Sequence, residues 1–458
     1  MKEKILQFGT GNFLRGFFAD FVQTLHEKEL FDGDIVIVQP TKGGKSKLIN
    51  EADGNYNLYL RGVDKGEQVC TRREITCVSR CVDPYGNYDE YLALAKNPDL
   101  RFIVSNTTEA GIEFNKKCNF EDRPALSFPG KLTQLLYQRY LRHLPGFVIL
   151  PCELISDNGK ELKKCVLKYA ALWELGEDFS GWIENENTFC NTLVDRIVTG
   201  FPEDAKELYR EIGREDKLLN TAEPYHLWVI EGNYENELPL KKAGLNVIWS
   251  DDVAPYKKMK VRILNGSHTS LVFPSLICGV ETVKESLDDE QLSAYLNRCL
   301  FDTILPLLED KEEIRSFAAA VLERFANPYI KHRWQAISLN SVSKFRERVL
   351  PSIEDYVLKN DALPKALVFA LSCLIYYYKN NPVQDNPDAV ISIMTGDLEQ
   401  ILADSSLWGI DLSAMKNLVE KGITLIEKDG IRKALEWAMA GEIRAKGQGP
   451  SYIVVSSQ

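Results

Sequence analysis

The sequence predicts an α/β fold, in which a domain built on a parallel sheet is followed by a mostly α-helical domain. Over residues 1–120, short apolar runs alternate with segments of helical periodicity, which is typical of parallel strands joined by crossover helices. From about residue 255 onward, the strand-like runs nearly vanish and helical patterns take over. This change predicts domains at 1–253 and 254–458, with the active site in the cleft between them.

The first predicted elements are a strand, a glycine-rich turn and a helix. The apolar run Ile5–Phe8 leads directly into Gly9 and Gly11, and helical spacing follows from Phe17. Glycines at such a turn let a pyrophosphate approach the start of the helix, which is how Rossmann-like domains bind dinucleotides. The match to G-x-G-x-x-G is incomplete because Leu14 replaces the third glycine, and a turn that binds no ligand is the alternative.

The second predicted strand, Asp34–Gln39, lacks the acidic residue that usually holds the ribose of NAD. Gln39 takes that position, while Lys42 and Lys45 leave room for a 2′-phosphate. These residues leave the choice between NAD and NADP open. Further strands are predicted at Phe102–Val104 and Phe147–Leu150, and helices at Asp288–Ile304, Glu312–Phe325, Leu363–Tyr378, Met415–Ile426 and Ile431–Met439.

A helix predicted over residues 255–273, with Pro274 as its stop, carries three polar side chains suited to alcohol and ketone chemistry. On an α-helix, Lys260, Asn265 and His268 fall within an arc of about 140°. They offer a base for a hydroxyl proton, a donor for a developing alkoxide and a second donor for the substrate. A solvated face is the alternative, but the apolar neighbours of these residues predict burial, which lowers the pKa of a lysine.

Composition excludes several classes of protein. A net charge of −11 argues against a nucleic-acid or acidic-membrane surface. The longest apolar run, Ala366–Tyr378, is well short of the ~20 residues that span a bilayer. The chain starts with Met1-Lys-Glu-Lys and enters a strand at once, so we expect no signal peptide and a cytoplasmic protein. The sequence does not determine the oligomeric state, and a monomer is one of the alternatives.

The ten cysteines are scattered without C-x-x-C pairs, and the chain has only five histidines. Zinc sites usually draw on closely spaced Cys and His ligands, so this distribution predicts reduced thiols and no metal site. A metal-dependent dehydrogenase remains an alternative that chelation would test.

Over nearly its whole length, the chain resembles the polyol-specific long-chain dehydrogenase/reductase family, which contains mannitol 2-dehydrogenase. The resemblance rests on Phe8-Gly-Thr-Gly-Asn-Phe-Leu-Arg15, Ser105-Asn-Thr-Thr-Glu-Ala-Gly-Ile112, Pro151-Cys-Glu-Leu-Ile-Ser-Asp-Asn-Gly159, Thr192-Leu-Val-Asp-Arg-Ile-Val-Thr-Gly200, Lys260…Asn265-Gly-Ser-His268 and Asn327-Pro-Tyr-Ile-Lys-His332. The Lys-x4-Asn-x2-His spacing is specific to this family. The segment Cys152-Glu-Leu-Ile155 resembles the branch that acts on hexuronates.

The resemblance implies Lys260 as general acid/base, Asn265 as the oxyanion donor, His268 as a substrate contact and Glu109 as a proton relay to solvent. It implies cofactor contacts from Gly9, Gly11, Asn12, Phe13, Gln39, Asn106 and Thr107. Substrate contacts are expected from Asp195, Asn158 and Lys344, and Lys331 and Arg346 are further candidates for a substrate carboxylate. The alternatives are a surface ion pair for Asp195-Arg196, a helix-start acid for Glu109 and a solvated face for the basic residues.

One departure from the family concerns the substrate. Leu154 stands where mannitol-type members have a substrate-binding asparagine, although Asn158 remains. The resemblance therefore implies an NAD(H)-dependent, metal-free oxidoreductase that reduces the ketone of D-tagaturonate to D-altronate. Reduction of D-fructuronate, oxidation of a neutral polyol and an inactive nucleotide-binding sensor are the alternatives, and intact Lys260 and Asn265 argue against the sensor.

Overall fold

The computed structural model describes residues 2–309 and 311–441, and of Glu109 it describes the backbone alone. The chain divides into two compact units, the first ending at Tyr256 and the second starting at Lys257. In the first unit, strands β1 to β13 are Lys2–Phe8, Gly33–Val38, Tyr56–Asp64, Glu67–Ile75, Val78–Val82, Phe102–Ser105, Val148–Pro151, Thr188–Phe189, Thr192–Asp195, Val198–Gly200, Asn220–Ala222, Leu227–Glu231 and Val247–Ser250. Helices α1 to α8 are Asn12–Arg15, Phe18–Glu27, Ser46–Glu51, Tyr88–Ala93, Phe128–Tyr140, Asn158–Leu172, Glu177–Glu186 and Ala205–Ile212, with 3-10 turns at Leu94–Lys96 and Glu109–Gly111.

The large sheet of the first unit is parallel, with strand order β5-β2-β1-β6-β7-β8. Its central strands are buried on both faces, which explains why they read as continuous apolar runs rather than alternating ones. The order of strands along the chain reverses between β1 and β6. In open α/β sheets, ligands bind beyond the carboxyl ends of the strands at such a reversal. Gly9 and Asn106, which follow these two strands, lie at that point.

Two smaller sheets complete the first unit, with strand orders β10-β11-β3-β4 and β13-β12-β9. The sequence analysis predicted neither of them, and the long hairpin of β3 and β4 is the largest element it missed. One apolar cluster packs Phe17 and Phe21 against Trp228, with ring centroids 5.6 and 6.2 Å from that of the tryptophan. A second cluster on Phe8, Tyr91 and neighbouring aliphatic residues covers other side chains of the large sheet.

The second unit is helical, and the described residues beyond β13 contain no further strand. Helix α9 is Ala254–Lys260, followed by a π-helical segment Val261–Gly266 and by α10, Ser267–Ile277. Helices α11 to α22 are Val283–Asp288, Glu290–Asn297, Glu312–Phe325, Trp334–Ile337, Ser341–Arg348, Leu350–Asn360, Lys365–Asn380, Pro387–Thr395, Leu398–Ala403, Ser405–Trp408, Lys416–Asp429 and Ile431–Met439. Further short segments are a π-helix at Arg298–Ile304 and 3-10 turns at Leu305–Leu307 and Ser413–Met415.

The predicted fold class, a Rossmann-like domain followed by a mostly helical domain, is confirmed. The helix predicted from Phe17 is present as α2, whereas the short helix α1 before it was not predicted. Two local predictions were wrong. The helix predicted over Asp288–Ile304 becomes π-helical from Arg298. Pro274 does not stop its helix, since α10 continues to Ile277 and packs against the long helix α17, where the ring centroids of Phe273 and Tyr377 lie 5.3 Å apart.

All ten cysteines are free thiols. In the described part of the chain, no group of three or more His, Cys, Asp or Glu is arranged to hold a metal ion. None of the described helices combines the length and the apolar content that crossing a bilayer requires.

Candidate active site

The turn after β1 has the geometry of a dinucleotide-binding loop. Gly9 has a φ of +139°, and a Cβ there would lie 3.1 Å from the carbonyl oxygen of Asn106. Only glycine combines that backbone conformation with so close an approach. A Cβ at Gly11 would meet no described atom within 4 Å, so the loop faces open space. Gly16 follows the short helix α1, and a Cβ there would lie 2.8 Å from Val198 Cγ1, so the close packing requires glycine.

Two cations gather at this loop around the side chain of Asn12. Its Oδ1 accepts hydrogen bonds from Arg15 Nη2 at 2.8 Å and from Lys45 Nζ at 3.1 Å. Arg15 is fully buried and also donates to the carbonyl oxygen of Leu218 at 2.6 Å. Burial lowers the pKa of Arg15, and burial together with Arg15 lowers the pKa of Lys45. Positive charge beside an open glycine loop is suited to a diphosphate.

The next predicted cofactor residues support this loop from either side. Gln39 accepts a hydrogen bond at Oε1 from the backbone N–H of Ser46 at 3.0 Å and so shapes the segment that carries Lys45. Phe13 stacks on Phe17, with ring centroids 5.0 Å apart. Asn106 donates from its side chain to the carbonyl oxygen of Cys152 at 2.7 Å. The cradle of glycines, cations and amides therefore fits a nicotinamide dinucleotide.

Glu153, which the sequence analysis treated only as part of a motif, holds the loop after β6. Its carboxylate accepts from Ser105 Oγ at 3.0 Å, from the Thr107 backbone N–H at 3.0 Å and from Thr107 Oγ1 at 2.9 Å. Burial raises the pKa of Glu153, and these hydrogen bonds oppose the rise. The clamp fixes the residue that precedes Thr108, whose φ is +83°, and the turn that contains Glu109. The side chain of Glu109 lies outside the described part of the structure.

Asn158 and Asp195 lie close together in the fold but have different surroundings. The Asn158 amide donates to the carbonyl oxygens of Pro151 and Thr192 at 2.9 and 3.1 Å, and its Oδ1 accepts from the Thr192 N–H at 2.8 Å. Backbone groups thus occupy both atoms of this amide. Asp195 ends β9 and is buried. Its neighbour Arg196 is not part of a surface pair, because it forms an ion pair with the buried Asp20 at 2.7 Å.

In the second unit, the π-helical segment corrects the geometry expected for the catalytic helix. In a π-helix the hydrogen bonds join residues five apart, so residues five apart lie one turn apart on the same face. Lys260 enters the segment with helical φ and ψ of −59° and −47°, and Asn265 is five residues further on. The two side chains therefore share a face, whereas an α-helix would separate them by about 140°. Both are half-buried.

Asn265 and His268 keep polar atoms available on this face. Within the residues that the structure describes, the Asn265 amide has no hydrogen-bond partner, and neither has the buried Nε2 of His268. The His268 ring lies against the rings of Phe325, His332 and Trp334, with centroids 5.1, 5.0 and 5.2 Å away. Burial, together with nearby cationic groups, holds the pKa of His268 well below its ordinary value. A neutral imidazole can exchange hydrogen bonds with a substrate hydroxyl.

The structure separates the predicted basic substrate residues. Lys344 is half-buried and donates to the carbonyl oxygen of Ile337 at 2.8 Å. Lys331 is exposed. Arg346 lies partly in solvent, with its guanidinium 3.9 Å from the carboxylate of Glu347. Of these three, Lys344 is the one whose charge is an electrostatic neighbour of His268.

Known proteins share the two-domain organisation of this chain. The sequence model of the mannitol dehydrogenase Rossmann domain matches residues 3–242, and that of the mannitol dehydrogenase C-terminal domain matches residues 252–428. The chain is 42% identical to an altronate oxidoreductase of Bacillus subtilis (strain 168), covering 96% of this chain and 97% of that protein. It is 40% identical to an altronate oxidoreductase of Halalkalibacterium halodurans, covering 95% and 93%.

Two solved structures share the fold. A crystal structure of D-sorbitol dehydrogenase in substrate-free form gives a TM-score of 0.84 at 24% identity, covering 95% of each chain. The Pseudomonas fluorescens mannitol 2-dehydrogenase ternary complex with NAD and D-mannitol gives 0.71 at 20% identity, covering 95% of this chain and 94% of that one.

The glycine loop and the parallel sheet, together with the two domain matches and the altronate oxidoreductase relatives, define an oxidoreductase that acts on CH–OH groups with a nicotinamide cofactor. Both domain models match in order and together cover most of the sequence. The chain belongs to the mannitol dehydrogenase family.

Proposed function

We propose that this protein reduces the ketone of D-tagaturonate to D-altronate, reversibly and with NAD(H), as a step of hexuronate catabolism. The proposal draws on relatives named altronate oxidoreductase that are 40–42% identical over nearly the whole chain. It includes functional domains at 1–253 and 254–458 and a monomer. A cytoplasmic location is part of the proposal, and the ten free cysteines support it because such thiols are usual in a reducing compartment.

The observation that carries the proposal is the shared face of Lys260 and Asn265 on the π-helical segment. A proton donor and an amide donor side by side match what a carbonyl oxygen needs as negative charge develops on it. The half-buried position of both side chains limits competition by water. Neither group would serve a protein that only senses a nucleotide.

The reaction follows from these groups. A bound nicotinamide supplies the hydride that reaches the ketone carbon. As the carbonyl oxygen becomes an alkoxide, the Asn265 amide donates a hydrogen bond to it and the Lys260 ammonium gives it a proton. The product is the secondary alcohol of the aldonate. In the oxidative direction, neutral Lys260 accepts the hydroxyl proton, and His268 orients the substrate through its open Nε2.

The remaining roles follow the family pattern. We propose that the cofactor is contacted by Gly9, Gly11, Asn12, Phe13, Gln39, Asn106 and Thr107. Glu109 would exchange the proton of Lys260 with solvent. Substrate contacts would come from Asp195 and Lys344, with Lys331 and Arg346 as further candidates for the substrate carboxylate. Asn158, which the family pattern also gives as a substrate contact, holds the backbone at Pro151 and Thr192. The absence of an acid after β2 leaves NADP as a second cofactor to test.

The proposal is tested by following NADH oxidation with D-tagaturonate, D-fructuronate and D-fructose in parallel, with NADPH as the second cofactor. We expect rapid turnover of D-tagaturonate with NADH. Preferential turnover of D-fructuronate would replace the substrate but keep the chemistry, whereas turnover of D-fructose alone would contradict a sugar-acid substrate. NADH binding without turnover of any substrate would contradict an enzymatic function and favour a nucleotide-binding sensor.

Lys260→Ala tests the assigned proton donor. We expect kcat to fall by about 1,000-fold, within the range that general acid–base catalysis contributes, while the Kd for NADH stays unchanged. Lys258→Ala is the matched control, because Lys258 lies on the same helix, is exposed and makes only a 3.5 Å ion pair with Asp355. Retained turnover in Lys260→Ala would show that the proton donor is another group.

A further inference from the structure

Helix α15, Ser341–Arg348, carries two cations on one face. Lys344 and Arg348 are four residues apart, so their Cβ atoms lie about 5–6 Å from each other on that face. Arg346, which the sequence analysis singled out, is two residues from each and points to another side of the helix. Its side chain packs near Gly409, where a Cβ would lie 3.3 Å from Arg346 Cδ.

The end of this helix packs on the catalytic segment of the same unit. A Cβ at Gly266 would lie 2.9 Å from the carbonyl oxygen of Arg348, so glycine at this position permits the contact. Gly266 directly follows Asn265 and precedes His268 by two residues. Arg348 and Lys344 are both electrostatic neighbours of the His268 ring, as is His332, whose ring centroid is 5.0 Å away.

The charge of this pair is not neutralised within the described residues. No carboxylate there lies within ion-pair distance of Lys344 or Arg348. The Glu347 carboxylate acts on Arg348 only from a longer range and lies 3.9 Å from the guanidinium of Arg346. Asp385, the acid that acts on Lys344, already accepts from Tyr378 Oη at 2.6 Å and from the Val342 N–H at 2.9 Å. Burial lowers the pKa of both Lys344 and Arg348. Partly buried cations without a counter-ion are costly, and an anionic ligand recovers that cost.

We propose that Arg348, together with Lys344, binds the carboxylate of the substrate and thereby selects sugar acids over neutral sugars. The assignment rests on the proposed function, which supplies the acid. A guanidinium forms two parallel hydrogen bonds with a carboxylate, and Lys344 adds a second charge one turn away. A neutral sugar leaves both cations desolvated and unpaired, so the same groups that bind the acid disfavour the neutral competitor.

The test compares Arg348→Gln, Arg348→Lys and Lys359→Gln. Lys359 is an exposed cation on the next helix and provides the charge-matched control. Calorimetry measures the Kd of D-altronate, fluorescence measures the Kd of NADH, and kcat/KM is compared for D-tagaturonate and D-fructose. We expect Arg348→Gln to weaken D-altronate binding on the order of 100-fold, mainly through KM in turnover, with NADH binding unchanged. The kcat/KM for D-fructose should rise, because one unpaired cation has been removed from the path of the neutral sugar.

The other variants make the result specific. Arg348→Lys keeps the charge and should recover part of the affinity, and Lys359→Gln should behave as the wild type. A Kd for D-altronate within threefold of the wild-type value in Arg348→Gln would overturn the proposal. So would an equal loss in Arg346→Gln, because it would indicate a general effect of charge. If the wild type reduces D-fructuronate instead, the proposed substrate fails, but a selective defect of Arg348→Gln on that acid still supports the carboxylate site.

Discussion

The carboxyl edge of the large sheet and the π-helical segment use their polar side chains in opposite ways. At the sheet edge, Gln39, Glu153 and Asn158 are buried and their hydrogen-bonding atoms are taken up by neighbouring segments. On the π-helical segment, the Asn265 amide and His268 Nε2 have no partner within the described residues. These side chains of the first region hold loops in shape, whereas those of the second region are available to bind a ligand.

Removing the amide of Asn265 should have the largest effect of the changes considered next. If this group stabilises the developing alkoxide, Asn265→Ala should lower kcat by about 100- to 1,000-fold, equivalent to roughly 3–4 kcal/mol of barrier. Because the amide has no structural partner in the described part of the chain, the thermal midpoint should hardly change. Steady-state kinetics and thermal unfolding measure the two effects. A large loss of stability would show that Asn265 has a structural role, like the polar residues at the sheet edge, and would contradict the difference between the two regions.

Glu153 should behave in the opposite manner, with stability lost before chemistry. Glu153→Leu leaves the Ser105 hydroxyl and both Thr107 donors without their acceptor, so we expect a loss of about 1–3 kcal/mol in the free energy of unfolding. Glu153→Gln keeps one oxygen for Thr107, and its amide can donate to Ser105, so most of the stability should return. Urea unfolding of both variants, with the Kd for NADH, checks this. If the leucine variant were as stable as the wild type, the proposal that Glu153 stabilises the loop after β6 would be wrong.

The sequence shows the spacing of the proposed catalytic residues, but it does not show the helical geometry that the structure gives them. The spacing of Lys260, Asn265 and His268 was visible, but periodicity assumes one helical repeat and cannot reveal a π-helical turn. Gly266 also packs against the end of α15, a contact between residues distant in sequence that periodicity cannot reveal. Arg348 escaped notice for the same reason, because the three basic residues Lys344, Arg346 and Arg348 look alike until a helix orients them.

Other misses have different causes. The strand-turn-helix start was predicted, whereas the short helix α1 was not, and the residue that packs on its end at Gly16 is Val198, far along the chain. Glu153 carried one local signal, an acid two residues after a buried strand at the edge where cofactors bind. Acids at that position also occur as surface residues, so only the three donors around it reveal its role. Contacts between residues distant in sequence therefore determine whether a polar residue stabilises a loop or lies on the surface.

Gly266 tests how tightly the second region is packed, and Gly181, on a helix of the first unit, is its control. Gly266→Ala would place a methyl group 2.9 Å from the Arg348 carbonyl oxygen, and the strain should cost about 1–3 kcal/mol of stability. It should also lower kcat, because the segment that aligns Lys260 with Asn265 must shift. Gly181→Ala, on α7 with no described atom within 4 Å of the new methyl, should instead stabilise by about 0.5–1 kcal/mol. Calorimetry of both variants measures the difference, and equal midpoints would contradict the close contact.

The last expected effect, which is absent at neutral pH, concerns His226, a half-buried imidazole of the first region whose ring nitrogens both have hydrogen-bond partners. Its Nε2 accepts from the Asn246 N–H at 3.0 Å, and its Nδ1 lies 3.3 Å from the Pro224 carbonyl oxygen, so the neutral ring satisfies both contacts. Burial, with the nearby Arg196, lowers the pKa of His226 from 6.5 to about 4. The unfolded chain then binds the proton first on acidification. The stability contributed by the neutral ring is complete above pH 6.5 and is lost as pH falls towards 4.

His226→Gln removes this titration while keeping a donor and an acceptor in place. Between pH 6.5 and 4, the difference in unfolding free energy between wild type and variant should shrink by at most about 1 kcal/mol per pH unit. Urea unfolding at a series of pH values measures it, with His143→Gln as a control on an exposed histidine. A difference that stays constant with pH would mean that His226 is charged in the folded protein. The Asn246 N–H would then need another acceptor, and His226 would no longer be an example of a polar group in the first region that is fully hydrogen-bonded.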